Sequence, residues 1–177
     1  HPEIIKEVAD DITIVYSPFH GTGNVPVRRI LSELGFKNVY VVPEQELPDP
    51  DFTTLDYPNP EDPKAFKLAL ELAKEKNADI VLATDPDADR LGIYALDTKT
   101  GEYVPFTGNM SGMLIAEYIL RERTATNTMP ENPALVTTIV TTNMAGAIAR
   151  DYNVKFIEVL TGFKYIGEQI KLFEQSG

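Results

Sequence analysis

Three aspartates stand at alternate positions in Asp85-Pro86-Asp87-Ala88-Asp89-Arg90, directly after the apolar run Ala78-Asp79-Ile80-Val81-Leu82-Ala83. A buried strand that opens into this segment brings three carboxylates into one short loop. Like charges at that spacing repel one another unless a cation sits among them. A site built only from oxygen ligands suits a hard ion such as Mg²⁺, which takes a few protein carboxylates together with a substrate phosphate. Arg90 adds a planar guanidinium fork beside them, matched to a phosphate or a carboxylate. Asp85, Asp87 and Asp89 are therefore the candidate metal ligands, and Arg90 the candidate anion contact.

Other patterns share part of this spacing. Acidic loop residues commonly serve only as solvated turn formers. An EF-hand also starts with three alternate acidic residues, but it needs Gly at the sixth place and Glu at the twelfth. Those places hold Arg90 and Leu96, between two strand-like runs, which rules the EF-hand out.

The bulk composition narrows the class. At 177 residues the chain has room for one large domain or two small ones with a real core. Its net charge of −11 argues against a nucleic-acid backbone as partner. The same charge leaves a phosphorylated metabolite open, since a local cation and Arg90 reverse the field. The chain has no cysteine, hence no disulfide framework, thiolate nucleophile or Cys-based zinc site, which fits a cytoplasmic setting. No apolar run reaches the length of a membrane span, and no signal peptide is visible. The sequence starts at His1-Pro2 without Met and stops just after a helical pattern, so we expect an excised piece of a longer protein.

Strand and helix signals alternate around these residues. Ile12–Tyr16 is β-branched and apolar, a buried strand. Val27, Ile30, Leu31 and Leu34 follow helical spacing and stop at Gly35. Asn38–Val42 reads as a second strand, and the Pro- and Asp-rich stretch 43–63 as a long loop. Lys64–Lys76 reads as a helix with Ala65, Leu68, Ala69, Leu72 and Ala73 on one side. Leu91–Leu96 is a strand closed by a turn at 97–101. A second α/β unit starts near Pro105: a helix over 109–123 with Glu117 and Arg121 paired, a β-rich run over 134–141, a helix over 144–152 capped by Asn143, a strand over 154–160, and Phe163, Ile166, Ile170 and Phe173 at helical spacing. The expected fold is two consecutive α/β/α units, 1–104 and 105–177, with mixed, mainly parallel sheets. Such sheets bind ligands beyond the carboxyl ends of their strands. The loops at Ser17, Asp85 and Thr161 all occupy such ends.

Two of those loops carry weaker signals. Ser17-Pro18-Phe19-His20-Gly21-Thr22-Gly23-Asn24 joins a strand to a helix, with glycines that allow close backbone approach and a helix N-terminus that favours an anion. It lacks the Gly-Lys-Ser/Thr ending of a P-loop, and a tight turn capped by Asn24 is the simpler reading. His20 offers a general base, although a packed histidine is the simpler reading. In Thr161-Gly162-Phe163-Lys164, Thr161 and Gly162 are candidate sugar contacts and Lys164 a candidate phosphate contact. The plainer reading makes Thr161 a helix cap and Phe163 a core residue.

Taken together, these segments resemble the α-D-phosphohexomutases. Asp85–Arg90 is similar to that family's metal loop, Ser17–Asn24 to its Ser-Pro-x-His-Gly-x-Gly segment, Thr161–Ile166 to its Thr-Gly-Phe-Lys-x-Ile sugar-facing segment, and Pro58-Asn59-Pro60-Glu61 to a further family loop. The match runs over nearly the whole chain and most resembles the bacterial phosphoglucomutase/phosphomannomutase group. The family has four domains, and this chain resembles the second and most of the third. The resemblance implies Mg²⁺ on Asp85, Asp87 and Asp89, completed by a phosphoserine from elsewhere in the parent chain. It implies a phosphorylated hexose met by Thr161, Gly162 and Lys164, with Arg90 on the phosphosugar or phosphoserine side of the cleft, and glucose 1,6-bisphosphate as activator of the whole enzyme.

The sequence departs from the family in three places. The phosphoserine segment of Ser-His-Asn-Pro type is missing, since Ser17, Ser32, Ser111 and Ser176 all lack that context. The Glu-x-Ser sugar loop and the phosphate loop of the fourth domain are also missing. The expectation is a fragment that does not turn over alone. Three rivals use related loops. A nucleotide-sugar glycosyltransferase places Asp-x-Asp after a strand. A haloacid-dehalogenase-like phosphatase does so too, with Thr or Val where Asp89 stands. A non-catalytic phosphosugar-binding module needs no donor serine.

Overall fold

The computed structural model describes residues 1–176. It divides into two compact units, with the break between Gly108 and Asn109. In the first unit a short helix α1 (Pro2–Val8) leads into β1 (Thr13–Ser17), α2 (Asn24–Leu34), β2 (Asn38–Val41) and the one-turn helix α3 (Pro43–Glu46). A 3₁₀ turn (Pro63–Phe66) then runs into α4 (Lys67–Lys76), followed by β3 (Ile80–Thr84), β4 (Leu91–Asp97) and β5 (Glu102–Phe106). The five strands form one sheet in the order β2-β1-β3-β4-β5. β1 pairs in parallel with β2 and β3, while β4 runs antiparallel to both β3 and β5.

The register of the parallel strands decides where the loops emerge. Ser17 stands opposite Ala83, so the segments after β1 and after β3 leave the same edge side by side. β1 is an interior strand buried on both faces, with Ile14, Val15 and Tyr16 at most 3% exposed. Ala65, Ala69 and Ala73 lie at i, i+4, i+8 and are buried. Their small side chains let this helix come close to the sheet, where Phe19, Phe66, Val81 and Tyr94 complete the core.

The second unit carries α5 (Gly108–Ala125) from its second residue on, then β6 (Ala134–Thr138), α6 (Met144–Asp151), β7 (Lys155–Val159) and α7 (Phe163–Ser176). β6 and β7 pair in parallel, Ala134 opposite Lys155 through to Thr138 opposite Val159. Leu120, Ala149 and Val154 form a small core with Leu135, Ile148 and Phe156 against it. Glu117 and Arg121 pair at 3.5 Å as expected, and the Tyr152 hydroxyl donates to Glu117 at 2.9 Å.

Several local readings change. The stretch 43–63 is not wholly a loop, because Pro43 starts α3, whose Gln45 is fully buried. The helix expected from Lys64 begins as a 3₁₀ turn, whose N-cap Asp62 accepts the Lys64 N–H at 3.0 Å. Asn24 is the first residue of α2 and not its cap; its amide instead donates to the Glu46 carbonyl. Asn143 does occupy the N-cap place of α6 without a side-chain cap bond, and the Thr142 hydroxyl accepts the Met144 N–H. Phe163 is 76% exposed and not a core residue.

Candidate metal centre

The acidic loop connects the antiparallel strands β3 and β4, with Thr84 opposite Leu91 at its base. Its turn is held by the Ala88 N–H on the Asp85 carbonyl at 3.0 Å. Ala88 takes φ +59°, a left-handed conformation unfavourable for a residue with a Cβ. That turn directs one oxygen from each of Asp85, Asp87 and Asp89 to within 4.8 Å of the others.

The three carboxylates differ in setting. Asp85 is 1% exposed. Its Oδ1 accepts the backbone N–H of Arg90 at 3.0 Å, and its Oδ2 accepts Arg90 Nε–H at 2.6 Å. Burial alone pushes the Asp85 carboxyl up, but the Arg90 backbone and guanidinium bonds together outweigh it and hold the group below its ordinary range. Asp87 and Asp89 are exposed. Asp89 is pushed up, first by the charge of Asp87, then by desolvation and by Asp85. A pair of like charges about 4 Å apart repels by roughly 1 kcal/mol even in water. An all-oxygen donor set with one carboxylate fixed and the others repelling is what a hard divalent cation neutralises, so these residues fit Mg²⁺.

Arg90 is anchored twice. Besides its bond to Asp85, Nη1 donates to Asn59 Oδ1 at 3.1 Å. Asn59 also accepts the Glu61 N–H at 3.0 Å, which fixes the Pro58–Glu61 loop against the acidic loop. Asn59 is thus a supporting residue of the site, a role no local pattern revealed. Next to Arg90 a cavity of about 520 Å³ is lined by Pro60, Leu91, Ile93, Tyr94 and Phe106.

The loop after β1 is drawn against the same site. Its histidine is not available as a base. His20 is 7% exposed, and its Nδ1–H donates to the Leu47 carbonyl at 2.8 Å, while Nε2 lies 2.8 Å from the Thr54 hydroxyl. Ser17 Oγ donates to Gln45 Oε1 at 2.7 Å and accepts the Phe19 N–H at 3.2 Å. These bonds tie the loop to 45–54, so the packed-histidine reading holds.

Thr161, Gly162 and Lys164 belong to the second unit, where β7 passes into α7. Gly162 has φ +127°, a conformation that side chains rarely tolerate, and its carbonyl accepts the Tyr165 N–H at 3.1 Å. Thr161 and Lys164 are exposed, with Lys164 Nζ 4.9 Å from the Tyr165 ring centroid.

Comparison with known proteins defines the class. Residues 2–98 match the family model for phosphoglucomutase/phosphomannomutase alpha/beta/alpha domain II, and residues 107–177 match that for domain III. The chain belongs to the phosphoglucomutase/phosphomannomutase family. It is 38% identical over 161 residues to a phosphoglucomutase of Staphylococcus aureus (strain N315), a match that covers 91% of this chain and 28% of that protein. The chain therefore spans little more than a quarter of that relative's length. Among solved structures, a phosphoglucomutase/phosphomannomutase family protein from Burkholderia thailandensis shares the fold with TM-score 0.68 at 19% identity, covering 96% of this chain and 35% of its own. An Aspergillus fumigatus N-acetylphosphoglucosamine mutase, solved in complex with GlcNAc-6P and magnesium, has TM-score 0.58 at 17% identity, over 93% of this chain and 32% of its own.

Proposed function

We propose that this chain is the metal-holding and sugar-facing middle of a phosphoglucomutase that interconverts glucose 1-phosphate and glucose 6-phosphate. The observation that carries the reading is the three-carboxylate loop, with Asp85 fixed by Arg90, in a chain 38% identical to a phosphoglucomutase. Residues 1–104 would form the metal-binding domain and 105–177 the sugar-facing one.

Asp85, Asp87 and Asp89 would hold Mg²⁺. When bound, that ion neutralises charge on a transferring phosphoryl group. The magnesium in the Aspergillus relative supports this choice of metal. Asp85 supplies a preset oxygen, because its carboxylate is already oriented by two bonds from Arg90. Arg90 presents a half-exposed guanidinium to an anion at the rim. Thr161 and Gly162 would read the sugar ring, and Lys164 would meet a phosphate. A phosphoserine elsewhere in the longer protein would give its phosphoryl group to one sugar hydroxyl. The resulting bisphosphorylated sugar would reorient and return its other phosphate to the serine. Phosphoryl transfer of this kind depends mainly on positioning and charge neutralisation. The fragment alone would be inactive.

A coupled assay of the full-length protein, with glucose 1-phosphate, Mg²⁺ and a trace of glucose 1,6-bisphosphate, tests the reading. Formation of glucose 6-phosphate that stops on chelation is expected. Turnover with mannose 1-phosphate alone would change the substrate and keep the chemistry. Silence with both would overturn the proposal in favour of a non-catalytic phosphosugar-binding module or another phosphate chemistry.

A further inference from the structure

The loop between β1 and α2 lies against the end of β3 and the acidic loop: Thr22 bonds Pro86, and Gly21 and Gly23 pack beside Pro86, Thr84 and Ala88, residues that alternate with the three aspartates. At the base, the buried Tyr16 hydroxyl bonds Thr84 Oγ1 at 2.8 Å. A Cβ on Gly23 would stand 2.4 Å from Thr84 Oγ1, 2.6 Å from the Tyr16 hydroxyl and 3.4 Å from Ala88 Cβ. In the middle, Thr22 gives the Pro86 carbonyl two hydrogen bonds, N–H at 2.9 Å and Oγ1–H at 3.1 Å. A Cβ on Gly21 would lie 2.4 Å from Pro86 Cα and 2.6 Å from its carbonyl oxygen. Those are backbone atoms on both sides, so a side chain at 21 forces one loop to move.

We propose that Gly21, Thr22 and Gly23 are positioning residues that clamp Thr84, Pro86 and Ala88 and so hold the three carboxylates of the acidic loop close enough together to share one Mg²⁺. The inference rests on the metal reading of Asp85, Asp87 and Asp89. It gives this loop a different task from cradling an anion: its glycines let one backbone lie on another. Mg²⁺ requires near-ideal octahedral geometry with oxygens at about 2.0–2.1 Å, whereas Ca²⁺ accepts longer and irregular shells at about 2.3–2.6 Å. A clamp that fixes the loop therefore confers preference for the smaller ion, and loosening it loses that preference before it loses the fold.

The test uses the full-length protein, with Mn²⁺ followed by electron paramagnetic resonance and displaced by Mg²⁺ or by Ca²⁺. Gly21→Ala is expected to weaken Mg²⁺ about tenfold or more, the usual scale for losing a supporting group around a metal site, and Ca²⁺ by less than about threefold. Thr22→Val, which loses the hydroxyl but keeps the N–H, is expected to shift the same ratio by a smaller factor, and Thr22→Ser to restore it. Gly112→Ala, where an added Cβ meets open space, serves as the control and leaves both affinities unchanged. Equal loss of Mg²⁺ and Ca²⁺ in Gly21→Ala would mean general destabilisation and overturn the clamp. So would wild-type affinities in a folded Gly21→Ala chain. If Gly21→Ala does not fold, an unchanged ion ratio in Thr22→Val overturns the proposal instead. A wild-type chain with no metal site sensitive to Asp87→Asn would overturn the metal reading itself, and the clamp with it.

Discussion

Asp85 and Asp89 carry the same functional group in one loop, and their substitutions should separate stability from metal binding. Asp85→Asn removes a charge that is 1% exposed and accepts two bonds from Arg90, at 3.0 and 2.6 Å. A hydrogen bond to a charged group contributes about 1.5–3 kcal/mol. Because the Arg90 side chain is 46% exposed, water screens part of the pair and recovers part of the loss, so we take about 2 kcal/mol for the whole change. For a domain of this size that lowers Tm by roughly 8 °C or more. Asp89→Asn acts on a side chain that is 73% exposed and whose carboxyl is pushed up by its neighbours. Its stability should stay within about 0.5 kcal/mol of wild type. Both variants should lose Mn²⁺ binding. Thermal melting by circular dichroism, paired with a Mn²⁺ titration, reads the two effects separately. Equal Tm values for the variants, or a larger loss in Asp89→Asn, would refute the account of Asp85 as the anchored ligand.

Two further outcomes follow from the first unit. Phe66 is fully buried, with the rings of Phe19 and Tyr94 at 5.6 and 4.7 Å, so Phe66→Ala should cost about 3–5 kcal/mol in urea unfolding; a loss under about 1 kcal/mol would mean the core is not centred there. Asp97 caps the β4–β5 turn by accepting the Lys99 N–H and the Thr100 hydroxyl, which hold its carboxyl below the ordinary 3.8. A depressed carboxyl contributes stability above its unfolded value and loses it as pH falls through the folded one. Asp97→Asn should therefore flatten the decline of the urea midpoint below about pH 4, and an unaltered decline would contradict the cap.

The periodic elements were legible because their signals are local. β1 and β3 are β-branched apolar runs, α4 shows its alanine face, and the acidic loop is a contiguous motif. β5 gave no such signal: Pro105 interrupts its pattern, which a sheet tolerates here because β5 is an edge strand. α1 was missed because it buries none of its own residues. At the site, the aspartates, Arg90 and the flanking segments were visible, and the bonds between them were not. Arg90 meets Asn59 across 31 positions, and Thr22 meets Pro86 across 64. The second contact depends on the parallel pairing of β1 with β3, and neither is encoded in a local spacing. Asn24 likewise makes a distant bond, its amide donating to the Glu46 carbonyl where a helix cap was expected.

The central claim is that Asp85, Asp87 and Asp89 form one divalent-cation site. A Mn²⁺ titration of the wild-type chain beside Asp87→Asn tests it most directly. The account predicts saturation at a single site in the wild type, displacement by Mg²⁺, and loss of that site in a folded Asp87→Asn chain. Absence of the site in the wild type, or its survival in Asp87→Asn, would contradict it.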